Sequence, residues 1–597
     1  MEDPRLLFDK ARSALGAGDS RAAADFAARL LAMAPNQPQA LHLMAVAERR
    51  NGRLDAARGL FESALVADPG NPEIHNNFAN LLDEMQALGK ARDHYRLAIE
   101  RAPDYADAQI NLAVVCRRMG AVGEGLKAAR RGAELAPRNP RAWTILGQLR
   151  EEAGDAAGAT AALERALEIA PRNARALSAA ALLELHRGGA ATARFERALT
   201  VSPGDPDLAL GSAAARHAAG DTPGAKAALE ALLAAAPEWI AAHSMLTKLH
   251  VASGEVERAC ESFQHALAHR PQDQVLWTAY LQTCFKLADY HGLSRVSADA
   301  RRALGEHPLV LGFAAVAADE LGEHDRAASM LASLDSAAQS GDQPDGFAVA
   351  LTRNLLRTGH TAEAAARARA ATGRGVRALW PYLATAWRIL GDRRWEELEG
   401  DPCLIAAVDL PQAGALLGDL IPVLRRLHTD HAPPLGQTLK GGSQTEGALF
   451  LRREPEIAAL AGLLMEGVKT YVAQLPAAQE GHPLLAGGRD GLRYSGSWSV
   501  RLGGGGFHVN HVHPAGWISS AFYVVLPPPA PDADAHAGWL TLGEPPAELG
   551  LKLPPFRTIE PRPGRLALFP AYTWHGTRAF GAGERLTVAF DTVRELA

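Results

Sequence analysis

The chain has few of the features that would mark a secreted, membrane or nucleic-acid-binding protein. Its four cysteines, Cys116, Cys260, Cys284 and Cys403, are scattered, with no Cys-x-x-Cys pair and no disulfide framework. No apolar run approaches the roughly 18–20 residues needed to span a bilayer. The opening segment, MEDPRLLFDKARSALGAGDS, carries no apolar signal core, so the expected location is a reducing cytoplasm. An excess of positive charge is also missing. With 62 Lys and Arg against 67 Asp and Glu, the formal charge is −5, which gives no attraction to nucleic acid or an anionic membrane. What remains is ordinary globular material, 47% apolar and 22% charged. At 597 residues it is too long for one core, so several domains or a repeat array are expected.

A repeat is present. Short segments ending in proline recur at Pro35, Pro69, Pro103, Pro137 and Pro171, each 34 residues after the last; a step of 32 reaches Pro203, and steps of 34 resume at Pro237 and Pro271. Twelve residues before these prolines stands a small residue: Ala23, Ala57, Ala91, Gly125, Ala159, Ala191, Ala225 and Ala259. Five residues before them Ala64, Ala98, Gly132, Ala166, Ala198 and Ala266 hold the pattern, with Leu30 and Leu232 as exceptions. Small residues let two antiparallel helices approach, glycine turns the chain between them, and proline ends the second helix. The segment "RAWTILGQLREEAGDAAGATAALERALEIAP" (141–171) resembles the tetratricopeptide repeat, with Trp143, Leu146, Gly147, Ala159 and Ala166 in place. About eight repeats are expected over residues 1–272, and degenerate helical pairs over 273–400. The resemblance implies a protein or peptide partner in the repeat groove.

After residue 400 the alanine-rich period stops. Residues 401–490 read as a helical and loop lead-in, with a helical stretch at 414–431, turn residues throughout "APPLGQTLKGGSQTEGALF", and a helix near 455–475. From 491 to 597 the reading is short strands: "LRYSGSWSVRL", "ISSAFYVVL", "GWLTLGE", "GRLALFP" and "RLTVAFDTV", bounded by Gly and Pro. The expected class is therefore multidomain: an all-α solenoid followed by a β-sandwich or jelly roll.

In that β region His511 and His513 lie two apart, a spacing that on a strand puts both side chains on one face. His575 follows an apolar strand about 60 residues later, and Arg585 starts another strand ten residues further on. This order resembles the Fe(II)- and 2-oxoglutarate-dependent oxygenases, whose double-stranded β-helix carries an H-x-D/E…H triad. More narrowly, "HVHPAGWISSAFYVVLP", "GRLALFPAYTWHGT" and "ERLTVAF" look like the oxygenase domain found fused behind tetratricopeptide repeats in bacteria. The resemblance implies His511, His513 and His575 as Fe(II) ligands, 2-oxoglutarate as cosubstrate, and Arg585 with Thr587 gripping its distal carboxylate. Where the family has a carboxylate, this chain has His513. That departure leaves open a three-histidine cupin-type enzyme without 2-oxoglutarate, or a repeat scaffold with a degenerate barrel. His508, three before His511, is a less favoured ligand, and Asn510 alternates to the opposite face.

Other patterns read as structural. His265 and His269 are helix-surface residues, and His428 with Asp430 in "HTDH" lies near a helix end. Gly503 to Gly506 read as a flexible turn feeding the metal strand, and "KGGSQT" as a loop without the phosphate-loop pattern. Gln437, Lys440 and Gln444 are candidates for the substrate side of the pocket by family resemblance alone.

Overall fold

The computed structural model describes residues 3–337, 345–428, 438–445, 448–528 and 535–594. The chain divides into two compact units, Met1–Leu183 and Glu184–Ala597. The fold is a solenoid of antiparallel helix pairs followed by an antiparallel jelly-roll domain with flanking helices.

The helix boundaries follow from the repeated prolines. First helices open at Pro38, Pro72 and Pro140, where a missing N–H costs nothing, behind the capping side chains of Gln37, Asn71 and Asn139. Second helices end two residues before the repeat proline. Ala102, ahead of Pro103, is held at φ −139° and ψ 85°, because the proline ring disfavours helical backbone in the residue before it. The small residues sit in the seam: Ala23, Ala57, Ala91 and Ala159 are 0% exposed. At Gly147 a Cβ would lie 2.6 Å from Cγ of Leu163, so only glycine admits that approach. The 32-residue step has a local cause: the helix Thr192–Val201 has 10 residues where Ala156–Ile169 has 14, and the connection before it, 187–191, is two residues longer than 153–155. Helices continue beyond residue 272 through Gln274–Lys286, Tyr290–Leu304 and Pro308–Glu320 to Trp380–Leu390.

Among the described residues nine strands form the sheet: β1 Ala406–Asp409, β2 Leu439–Gln444, β3 Arg493–His511, β4 Ile518–Val525, β5 Leu540–Leu542, β6 Arg557–Ile559, β7 Arg565–Pro570, β8 His575–Thr577 and β9 Arg585–Val593. Their order is β1-β7-β4-β9-β3-β8-β5-β6, with β2 paired to β3. The buried face, including Phe522, Leu566, Leu568, Val588 and Phe590, shares one core with the helices Thr361–Gly373, Trp380–Leu390 and Pro455–Gln474. Trp574 is fixed in it by an Nε1–H bond to Thr385 Oγ1 (3.0 Å) and by the edge of Tyr382 (5.3 Å).

Two expectations are corrected here. "LKGGSQ" is not a loop but β2, and Gly503 to Gly506 are not a free turn but part of β3. The two glycine runs explain each other. A Cβ on Gly442 would lie 2.2 Å from Arg501 O, and one on Gly506 would lie 2.9 Å from Gly441 O. The glycines let two backbones pair where side chains would collide, and Gly441 and Gly505 take positive φ at the irregularity.

Candidate metal centre

His511, the last residue of β3, pairs in register with His575, the first of β8, and their ring centroids are 4.2 Å apart. His513 lies two residues past the end of β3, so the strand alternation read from the sequence does not extend to it. Instead its N–H donates to Ala571 O at 2.9 Å, and its ring lies 5.0 Å from those of both His511 and His575. One ring nitrogen from each of the three histidines lies within 4.8 Å of the others.

In each ring Nδ1 is already engaged. His511 Nδ1–H donates to Val509 O at 2.8 Å and His575 Nδ1–H to Thr573 O at 3.0 Å. A carbonyl only accepts, which assigns the proton to Nδ1 and leaves Nε2 as the nitrogen with a lone pair to offer. His513 Nδ1–H donates to Asp591 Oδ1 at 2.8 Å. Such outer hydrogen bonds fix tautomer and ring orientation in metal-binding histidines. Burial, reinforced by the neighbouring histidines, pushes His511 and His575 well below the ordinary imidazole pKa. The neutral form a metal requires is therefore the form this site favours. Phe569 packs 4.7 Å from the His575 ring, and Trp498 meets His513 edge-on at 5.5 Å.

His508 reaches the same recess by an irregularity in pairing. Between its partner Thr577 and His575 there are two steps on β8, against three on β3 from His508 to His511. The extra residue brings the His508 ring to 5.9 Å from that of His511. Burial, then the charges of Arg585 and His513, push its pKa down to about 3. It is not among the three convergent histidines. Thr438 lies 3.3 Å from His508 Nδ1 and 3.5 Å from His511 Nε2.

Arg585, the first residue of β9, is 3% exposed, and its Nε and Nη1 have no hydrogen-bond partner among the described residues. Burial lowers its pKa, and Tyr523, whose ring lies 5.3 Å from the guanidinium carbon, opposes that shift. Apart from this interaction with the guanidinium, the buried Tyr523 hydroxyl has no partner among the described residues. Buried donors left unpaired are costly, so two such groups side by side mark a place built for an acceptor. Thr587 follows two residues along β9, opposite Val500 of β3 and Tyr523 of β4.

The remaining candidates are not part of this cluster. His428 has both ring nitrogens engaged, to Ser443 Oγ (2.9 Å) and Ser499 Oγ (3.0 Å); Asp430 and Gln437 lie outside the described residues. Exposed His269 bonds back to His265 O at 3.0 Å. Lys440 is exposed and Gln444 half-buried on β2. Asn510 turns away, towards Pro545 O and Thr541. Asp591 and Tyr523 escaped the sequence reading. Tyr523 looks like core in "AFYVV", whereas a carboxylate inside the apolar strand "VAFDTV" was a usable signal.

Residues 496–591 match the family described as "Putative 2OG-Fe(II) oxygenase". Tetratricopeptide repeat families match residues 8–72, 117–174 and 146–206, residues 182–249, and residues 242–275. The chain thus carries tetratricopeptide repeats over its N-terminal region and a domain of that oxygenase family at its C-terminal end. Solved structures similar to it include a tetratricopeptide repeat protein from Parabacteroides merdae, 18% identical over 46% of this chain and 97% of that one, TM-score 0.31. A thermophilic repeat protein of Thermus thermophilus is 26% identical over 30% and 98%, TM-score 0.27. MamA from Desulfovibrio magneticus is 18% identical over 29% and 98%, TM-score 0.27. No curated protein matches the chain. No described helix is long and apolar enough to cross a membrane.

Proposed function

We propose that the chain is an Fe(II)- and 2-oxoglutarate-dependent oxygenase whose repeats recruit a protein or peptide partner. The observation that carries this reading is that adjoining strands of one sheet carry both kinds of group the chemistry needs. β3 and β8 pair His511 with His575, β9 pairs Arg585 with β3, and the Arg585 charge acts on His508 beside His511. Three histidines each bring one ring nitrogen within 4.8 Å of the others, and a buried guanidinium has two nitrogens unpaired among the described residues. The donor set fits: imidazoles suit Fe(II), and a planar guanidinium suits a carboxylate.

In this reading His511, His513 and His575 hold Fe(II). Arg585, with Thr587, binds the distal carboxylate of 2-oxoglutarate, and the Tyr523 hydroxyl gives that carboxylate a further donor. Bound there, the metal and cosubstrate would supply the oxidative chemistry of the class, giving succinate, CO2 and a hydroxylated substrate. The protein's own work is to hold the histidines in their ligating orientation through Val509, Thr573 and Asp591. Phe569 and Trp498 shield the rings from water.

A partner-binding role for the repeats is supported by a polar groove of about 520 Å3 lined by Arg49, Asn76, Asn80, Tyr105, Asn111 and Arg141. The lack of a carboxylate among the three histidines favours a second reading, a three-histidine cupin-type enzyme that does not use 2-oxoglutarate.

Anaerobic titration of the apoprotein with Fe(II) and then 2-oxoglutarate separates the readings. A visible metal-to-ligand band on adding 2-oxoglutarate is the expected result. Iron binding without that response selects the cupin-type reading, and no iron binding leaves a repeat scaffold.

A further inference from the structure

Asp591 lies on β9, in register with Gly496 of β3 and Ser519 of β4. Its Oδ1 accepts from His513 Nδ1 at 2.8 Å and from Ser519 Oγ at 2.6 Å. The turn carrying His513 is pressed against it: a Cβ on Gly516 would come within 3.4 Å of both Cβ and Cγ of Asp591. Trp498 meets the His513 ring edge-on at 5.5 Å. Of the three convergent histidines, His513 is the one held by a carboxylate; His511 and His575 are held by carbonyls. His513 is also the residue that stands where the resemblance expects an anionic ligand.

Three neutral imidazoles leave the full double charge of a divalent metal uncompensated. A carboxylate accepting the Nδ1 proton makes the far nitrogen a stronger donor and brings negative charge close to the ion. We propose that Asp591 is a positioning residue of the metal centre, holding His513 in its ligating orientation and supplying, one hydrogen bond removed, the anionic charge that the histidine triad lacks. This rests on the metal reading above, not on 2-oxoglutarate.

The test is anaerobic titration of the full-length apoprotein with Co(II) alone, followed by its visible d–d band, in the wild type, Asp591→Asn and Asp591→Ala. Asparagine keeps the size and an accepting oxygen but removes the charge. Asp591→Asn should weaken Co(II) binding about 10–100-fold and shift the band, with the melting temperature of the apoprotein unchanged. Asp591→Ala should lose at least as much. If the wild type takes up no Co(II), the metal reading falls and this proposal with it. If the wild type binds and Asp591→Asn binds within a few-fold with the same band, this proposal alone falls. Should Asp591→Asn fail to fold, the zinc-loaded wild type labelled with 15N-histidine decides. The ring N–H proton shared with the carboxylate should resonate downfield of the two that face carbonyls, and three equivalent positions overturn the proposal.

Discussion

His511 stands opposite His575 across the β3–β8 ladder, with ring centroids 4.2 Å apart. Two residues 64 apart in the chain are thereby locked as a pair before any ion arrives. An ion that binds only the folded chain stabilises it by mass action, about 2.7 kcal/mol at 100 times its Kd. Thermal unfolding with Fe(II) or Co(II) under argon should show that gain in the wild type. His511→Ala and His575→Ala should show none, because two remaining nitrogens cannot hold the ion against water. An equal gain in all three proteins would place the metal elsewhere.

Arg585 makes a sharper case, because stability and function should move in opposite directions. Its guanidinium is buried with Nε and Nη1 unpaired, a cost borne by the ligand-free fold. Arg585→Met should leave the apoprotein as stable as the wild type or more so. The same change should weaken 2-oxoglutarate binding roughly 10–100-fold, the worth of a charge-assisted bond. Arg585→Lys should recover only part, since an ammonium lacks the planar two-point match. Calorimetric titration of the metal-loaded proteins checks the second statement, and apoprotein melting the first.

The sequence carried the repeats because their physics is periodic: proline, a small seam residue and a turn glycine recur in phase, and one short helix accounts for the single broken step. It also carried the pairing of His511 with His575 at facing strand ends, whereas His513 joins them from the turn beyond β3, where strand alternation does not reach. It hid what depends on pairing between distant strands. β2 was illegible because "LKGGSQ" has no strand composition and is a strand only against the glycines of β3. The approach of His508 to His511 needs an extra residue on β3 that exists only relative to β8. Asp591 and His513 are 78 residues apart and meet through the β3–β9 and β4–β9 ladders.

Two glycines in the repeats separate packing from propensity. A Cβ at Gly147 would meet Leu163 Cγ at 2.6 Å and Ala159 O at 3.3 Å, whereas one at helical Gly59 meets nothing within 4 Å. Gly147→Ala should destabilise the chain by about 1–3 kcal/mol through overpacking. Gly59→Ala should stabilise it by about 0.5–1 kcal/mol, the ordinary gain of alanine in a helix. Chemical denaturation followed by circular dichroism reads both. Shifts of the same sign would mean that the seam repacks freely.

Glu399 provides the pH test. It lies in the π-helical turn Glu396–Gly400, 3% exposed, with Oε2 accepting from Trp395 Nε1 at 3.2 Å and Oε1 unpaired. Thr573, whose carbonyl holds His575, has a buried hydroxyl that pulls on this carboxyl but makes no well-formed hydrogen bond among the described residues, and Tyr572 donates to Leu398 O at 2.7 Å. Burial pushes the Glu399 carboxyl from 4.5 up to about 7, against the pull of Trp395, Arg388 and the Thr573 hydroxyl. Between those values the folded chain holds a proton that the unfolded chain has released, so stability falls as pH rises through that window and is level above it. The full loss is roughly 3 kcal/mol. Glu399→Gln cannot ionise, and its amide can donate to the Thr573 hydroxyl. Its stability should match the wild type below pH 4.5 and exceed it above about 7. The transition to follow is the tryptophan fluorescence of Trp395, Trp517 and Trp574, all in the Glu184–Ala597 unit. Parallel pH profiles for the two proteins would mean that Glu399 stays ionised and finds its partner in water.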